Sequence, residues 1–319
     1  MPAPLLSVIL PTRNPHPGRL HRTLRGLASQ TLERSQWEIV VVDNASDAAW
    51  EIPTELLPTL PPLRRVAEPI AGLTPARLCG IATAAGDLLV FVDDDNVLSP
   101  GYLTAALARF AHSPSLGAAG GPVLPEWETV PPAWTAEFHG LLALRDLGRE
   151  PQLCRGGPTV PWPTFAPVGA GLVIRHAAAA SYAAAVRHDL RRSSLDRARS
   201  SLGSGGDNDL VFTTLHAGGD VGYFPELSLT HLIPAGRLDA PYLTRLNRGI
   251  MRTWVRVLAL HNQCGWPPIS HWTIPLRHAR ARWRLRHAPE PARSVRLGGI
   301  LGQFEGQADL RKLTLRPLA

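Results

Sequence analysis

Leu88-Leu89-Val90-Phe91-Val92-Asp93-Asp94-Asp95 is an unbroken apolar run that ends in three carboxylates. A run of this length without alternation reads as a strand buried on both faces, as in the parallel sheet of an α/β domain. Ligands of such sheets bind at the carboxyl ends of the strands. Three adjacent carboxylates repel one another unless a cation shares them, and an oxygen-only set suits a hard ion such as Mg²⁺ or Mn²⁺. A lone acidic triplet reads more simply as a solvated turn. Its place after a buried strand favours the ligand.

The segments before it repeat the pattern. Leu5 to Leu10 reads as a short strand broken by Pro11-Thr12-Arg13-Asn14-Pro15, and Leu20, Leu24 and Leu27 recur with the period of one helix face. Glu38-Ile39-Val40-Val41-Val42 is a second strand, closed by Asp43-Asn44-Ala45-Ser46-Asp47. A β-loop-α-β order gives parallel neighbours through a right-handed crossover, so the ends after Leu10 and Val42 share an edge with Asp93. After the proline-rich connection Pro53 to Pro62, Leu63 to Val66 reads as another short strand, and a helix from Pro75 to Ala85 leads to the carboxylate strand. Arg77 falls in the first turn of that helix. A cation is disfavoured by the dipole there, so a ligand anion or a carboxylate would hold it; a surface arginine is the plain alternative.

Residues 122–167 are rich in proline and tryptophan, the composition of a lid or wall whose indole faces suit sugar rings, or simply of packing. Val168-Gly169-Ala170-Gly171-Leu172-Val173-Ile174 lacks the third glycine of a dinucleotide fingerprint and reads as a strand whose small residues admit a ligand. An alanine-rich helix near Ala177–Val186 and a charged loop from Arg187 to Arg199 follow. Gly203-Ser204-Gly205-Gly206 then precedes a helix starting near Asp207 and stopping before Gly218-Gly219. Asp207 reads as its N-cap, or as a catalytic base fixed behind an open glycine loop. Asp209 points away from it if both are helical.

Composition sets the limits. The 319 residues, 45% hydrophobic, suffice for one large α/β domain with an appendage or for two small domains. No stretch reaches the ~18 apolar residues of a membrane helix, and Met1 to Pro4 runs straight into a strand, so secretion is not expected. Cys79, Cys154 and Cys264 are odd in number and lack metal spacing, which points to free thiols in a reducing, cytoplasmic setting and away from a zinc site. The net charge is +7. Seven arginines stand between Arg277 and Arg296 against one acid, Glu290, with Trp272, Ile274, Leu276, Trp283 and Leu285 interleaved. This segment reads as a basic helix on an anionic membrane at the inner face, or as a solvated face whose tryptophans pack inward. Nucleic acid is not an expected partner, because its binding signatures are absent.

Taken in order, these segments resemble the large inverting family 2 of nucleotide-sugar glycosyltransferases, with the GT-A fold: a Rossmann-like, mostly parallel sheet flanked by helices. The resemblance covers about residues 5–250 and rests on Ser7 to Asn14, Val41 to Asp47, the Ala76-Arg77 to Gly86-Asp87 helix, Phe91 to Asn96 with Pro100, Gly206 to Leu210, and His231 to Pro234. It implies a transferase domain over 1–250 and a basic helical extension over 251–319. It further implies a hexosyltransferase-type enzyme moving a sugar from a nucleoside-diphosphate sugar, UDP-sugar first, to a hydroxyl of a saccharide or glycoconjugate acceptor in polysaccharide or glycoconjugate biosynthesis. A catalytically silent nucleotide-sugar-binding scaffold at the membrane is the second reading. A dehydrogenase or a nucleotidyltransferase would need a glycine-rich loop after the first strand, where Pro11 to Pro17 stands.

By the same resemblance, Pro11, Thr12 and Arg13 line the nucleotide pocket, Asp43 accepts from the base edge and Arg77 lies near the base or diphosphate. Asp93 and Asp95 match the D-x-D pair, with Asp95 on Mg²⁺ or Mn²⁺ and Asp93 or Asp94 on the ribose. His231 completes the metal and diphosphate site. Gly169, Ala170 and Gly171 lie beside the donor sugar, and Asp207 is the general base, with Asp209 its rival. Two positions depart from the family: Gly206-Asp207 stands for Glu-Asp, and Arg77-Leu78 for Arg-Asn.

Overall fold

The computed structural model describes residues 3–196 and 202–314. The chain divides into two compact units. The first holds the residues up to Glu126, Ala143–Ser193 and Leu210–Ile233, and the second holds Trp127–Leu142, Ser194–Asp209 and the residues from Pro234 onward.

The first unit is built on strands β1 (Leu6–Thr12), β2 (Trp37–Asn44), β3 (Leu63–Glu68), β4 (Leu88–Phe91), β5 (Asn96–Leu98), β6 (Leu116–Gly120), β7 (Val123–Trp127), β8 (Gln152–Cys154), β9 (Val173–Arg175), β10 (Asp220–Tyr223) and β11 (Leu229–Ile233). An eight-stranded sheet has the order β3-β2-β1-β4-β9-β6-β10-β8, and a three-stranded one the order β5-β11-β7. Pairing is parallel across β3-β2-β1-β4 and between β6 and β10; β9 runs antiparallel to both its neighbours, and β8 to β10. The sheet is therefore mixed, with helices on its faces.

The helices are α1 (Pro17–Ala28), α2 (Leu73–Thr83), α3 (Tyr102–His112), α4 (His176–Arg187), α5 (Leu190–Ser193), α6 (Gly206–His216), α7 (Ala240–Leu260), α8 (Ile274–Arg284) and α9 (Ala292–Thr314). The apolar runs of β1, β2 and β4 are continuous because each strand feeds two cores. Leu6, Val8, Leu10, Ile39, Val41, Leu88 and Val90 meet α1 and α3 through Leu20, Leu24, Leu27, Leu103 and Phe110. Ile9, Val40, Val42, Leu89 and Phe91 meet α2, α4 and α6 through Ile81, Tyr182, Val186, Leu210 and Leu215. Each such side chain withdrawn from water contributes about 1.5–3 kcal/mol, so the twofold period of a strand places both layers at once.

Several boundaries differ from the sequence reading. β1 continues through Pro11 to Thr12. It pairs with β4 only as far as Ile9, while β2 accompanies it to Asp43, so the missing proline N–H interrupts no ladder on the β4 side. α2 begins at Leu73, which puts Arg77 in the second turn instead of the first. Val168 to Leu172 is not strand; only Val173–Arg175 is. The charged loop contains the short helix α5, and its residues 197–199 lie outside the described ones, as do Met1 and Pro2.

In the second unit α7 and α9 pack along one another, and α8 packs on α9. Gly298, Gly302 and Gly306 recur every four residues on α9, where a Cβ would meet the carbonyl oxygens of Thr244, Arg248 and Arg252, so these small residues let the two backbones approach. Arg248 clasps Glu305 and Arg252 clasps Asp309 across the pair. The basic segment is thus two helices, α8 and the start of α9, instead of one, separated where Pro289 and Pro291 stand.

Candidate active site

The parallel register fixes which residues gather at the carboxyl edge of the first unit. Thr12 pairs with Asp43, and Ile9 with Phe91, so the loops after β1, β2 and β4 leave the sheet together. Thr12 Oγ1 donates to Asp94 Oδ2, tying the first loop to the carboxylates. Asn14 donates from Nδ2 to Asp47 at 2.6 Å and accepts from the Asp47 amide at 2.8 Å. Arg13 Nε donates to Ala45 O at 3.2 Å. Asn14 (φ 51°) and Ala45 (φ 52°) are both left-handed. Asparagine tolerates that region and alanine does not, and such departures cluster where a loop is held for a ligand.

Asp43 accepts from Arg65 at 2.9 Å and from the Ser46 amide at 3.3 Å. Burial opposes its ionisation, but the hydrogen bonds from Ser46 and Arg65 outweigh that, and its carboxyl is held below the usual range. The Arg65 guanidinium in turn lies 4.1 Å above the Trp50 ring. Arg77 is no surface arginine: it is buried, with its guanidinium 5.5 Å from the centre of the Phe91 ring.

Asp95 is 4% exposed and His231 5%. β11 pairs antiparallel with β5, setting His231 opposite Asn96. That register brings His231 Nε2 to 3.5 Å from Asp95 Oδ2, while Asp95 Oδ1 accepts from Asn96 Nδ2 at 3.1 Å. The Asp93 amide donates to Asn96 Oδ1 at 3.3 Å. Gly169, Ala170 and Gly171 form a turn beside the same strand end. Gly171, at φ 72°, donates its amide to Phe91 O at 2.9 Å and accepts from the Tyr102 hydroxyl, whose own ionisation burial pushes well up.

Asp207 and Asp209 fall in the second unit. α6 starts at Gly206, so Asp207 is its second residue and not its cap. The cap is supplied from outside the helix: Asp196 Oδ1 accepts from the Gly205 amide at 3.2 Å and from the Gly206 amide at 2.8 Å. Asp207 is half-buried, while Asp209 is fully buried and accepts from His261 Nε2 at 2.7 Å. Both acids suit the positive end of the helix dipole. Asp196 and His261 carry no local signal in the sequence. They lie 10 and 52 residues from their partners, and only the fold pairs them.

An α/β fold with a mixed sheet, a carboxylate cluster at its carboxyl edge and a helical C-terminal extension is the GT-A type of architecture, the framework of nucleotide-sugar transferases. The family model "Glycosyl transferase family 2" matches residues 7–168, about half of the chain, and the chain belongs to that family. It is a glycosyltransferase, an enzyme that transfers a sugar from a nucleotide-sugar donor. The "Succinoglycan biosynthesis protein ExoM" of Rhizobium meliloti (strain 1021) is 29% identical over 247 residues, covering 75% of this chain and 71% of that protein. The crystal structure of S. aureus TarS 1–349 in complex with UDP is similar with a TM-score of 0.50 at 14% identity, covering 96% of this chain and 91% of that one. At that identity the likeness concerns the fold alone.

Proposed function

We propose that the chain is an inverting, metal-assisted glycosyltransferase that moves a sugar from a UDP-sugar to an acceptor hydroxyl during synthesis of a polysaccharide or glycoconjugate. The observation that carries the reading is the buried Asp95–His231 pair at the end of the central parallel strands. The name of the ExoM relative supports a polysaccharide product.

The donor set fits a hard cation shared with the substrate. Among the described residues no group of three or more His, Cys, Asp and Glu side chains is placed to hold a metal ion by itself, so substrate oxygens would have to complete the site. Mg²⁺ is commonly held by one or two carboxylates with substrate phosphates and water completing the shell, and Asp95 with Asp93 and His231 would supply the protein's share. Bound there, the ion would act as a Lewis acid on the diphosphate oxygens.

The rest is work for this chain's own side chains. Pro11, Thr12 and Arg13 would flank the nucleotide, Asp43 would accept from the base, Asp94 would reach the ribose, and Arg77 would balance diphosphate charge. The turn Gly169-Ala170-Gly171 would leave room for the sugar. An acceptor hydroxyl is too weakly acidic to attack unaided. Asp207 would take its proton as the oxygen bonds to the anomeric carbon, while the bond to the diphosphate breaks on the opposite face and the electron pair leaves with the nucleoside diphosphate. One displacement inverts the anomeric centre. Asp209 is the second candidate for the base, and its bond to His261 suits it better to holding the helix than to reaching a substrate.

Titrating UDP into the protein with and without Mn²⁺ tests the donor half: binding that requires the ion supports the reading, and absence of binding under both conditions opposes it. Proton NMR of the transferred product then tests inversion through the anomeric coupling. Retention of configuration would contradict the single displacement.

A further inference from the structure

Trp272 is 82% exposed, Leu276 76% and Trp283 64%. Single exposed apolar residues are ordinary, but these three share a face. At about 100° per residue, Leu276 and Trp283 differ by about 20° around α8, and Trp272 would lie about 40° from Leu276 if the helix were extended back through the preceding turn His271–Thr273. The far side of the helix carries the buried Ala281, and α8 packs on α9.

Charge brackets the apolar stripe. On the same wheel Arg280 and Arg284 fall on one flank and Arg282 on the other, while Arg286 stands just past the helix end. No acid stands within α8, and Glu290 beyond it is taken by Arg293 and Ser294. Arg286 lies 4.2 Å over the Trp283 ring, so this cation and the indole are already stacked at the edge of the stripe.

Each feature selects the same occupant. Indoles prefer the boundary between water and acyl chains, and arginine stems can lie along an apolar surface while their heads reach phosphate. A second copy of this chain would bring two sets of flanking arginines together. Nucleic acid would engage the arginines and leave Leu276 in water. The eleven residues of α8 span only about 16 Å, and among the described residues no helix is long and apolar enough to cross a membrane, so the face suits lying on a bilayer.

We propose that α8, with the turn that leads into it, docks this protein on the surface of a lipid bilayer rich in anionic headgroups. The tryptophans and Leu276 enter the headgroup boundary, and the flanking arginines meet lipid phosphate. The surface is independent of which sugar is transferred.

Flotation of the full chain with vesicles tests this. The protein should rise with vesicles of phosphatidylglycerol and phosphatidylcholine, stay behind with phosphatidylcholine alone, and be released by salt. The triple variant Trp272→Ser, Leu276→Ser, Trp283→Ser should lose vesicle affinity by about tenfold or more. Arg280→Ser with Arg284→Ser should lose about as much, since each basic residue near an anionic surface counts for roughly fivefold. These side chains are exposed, so melting temperature and donor turnover in solution should be unchanged. Equal flotation of the triple variant, or failure of the parent to float with anionic vesicles, overturns the proposal. So does a dimer in analytical ultracentrifugation that the triple variant abolishes, since the stripe would then be an interface between copies.

Discussion

The Asp196 carboxylate accepts from the Gly206 amide at 2.8 Å, and its other oxygen stands where a Cβ on residue 206 would have to go. The residue that departs from the family pattern is thus bound to a carboxylate that no motif announces. Gly206→Ala should displace Asp196 and unsettle the first turn of α6. Asp196→Ala should lose a cap worth about 0.5–2 kcal/mol, and Asp196→Asn much less, because asparagine caps about as well as aspartate. Thermal melts of the three variants check this. A Gly206→Ala protein as stable as the parent would show that the helix start has room to shift.

Asp209 and His261 are both buried and joined at 2.7 Å. Removing one partner leaves the other's polar atom without its bond, at a cost of about 1–3 kcal/mol. His261→Leu should therefore lower the melting temperature. Urea unfolding of His261→Leu, Asp209→Leu and the double variant should show strong non-additivity. Additive losses would mean that the pair contributes nothing as a pair.

Asp43 titrates below its ordinary value of 3.8. A carboxyl depressed in the folded state stabilises the fold above its unfolded pKa, and that contribution disappears as pH falls through the lower folded value. Arg65→Gln should raise the Asp43 pKa toward the ordinary value and lower stability in neutral solution. The difference from the parent should shrink below pH 3.8 and vanish once both proteins are protonated. Unfolding free energies across that range, with carbon NMR of Asp43, read both effects.

Asp95→Ala should abolish Mn²⁺-dependent binding of UDP, and His231→Gln should weaken it. Calorimetry in the presence and absence of the ion separates loss of the ion's contribution from loss of the nucleotide pocket. Unchanged Mn²⁺-dependent affinity in Asp95→Ala would remove Asp95 from the donor site.

What the sequence made legible follows from periodicity. The runs in β1, β2 and β4 are apolar at every position because consecutive residues such as Val8 and Ile9 enter different cores, and Leu20, Leu24 and Leu27 repeat as α1 requires. Asp93 to Asp95 could be placed at a strand end for the same reason. Pro11 misled as a strand breaker because its tolerance depends on where β4 stops pairing, a long-range fact. The glycines at 169 and 171 suggested a strand, whereas Gly171 turns at φ 72° to reach Phe91. Asp196 and His261 were invisible because a cap or a buried pair made across the fold leaves no spacing to read.

The most direct measurement is release of nucleoside diphosphate from a UDP-sugar, with Mn²⁺ and an acceptor-bearing membrane extract, by the parent and by Asp207→Asn. The substitution is isosteric, and Asp196 caps the helix, so the fold and UDP affinity should survive. Turnover should fall by the ~10²–10⁴ of a lost general base. Turnover of Asp207→Asn at the parent's rate, or a parent that binds the donor and never turns it over, would contradict the account.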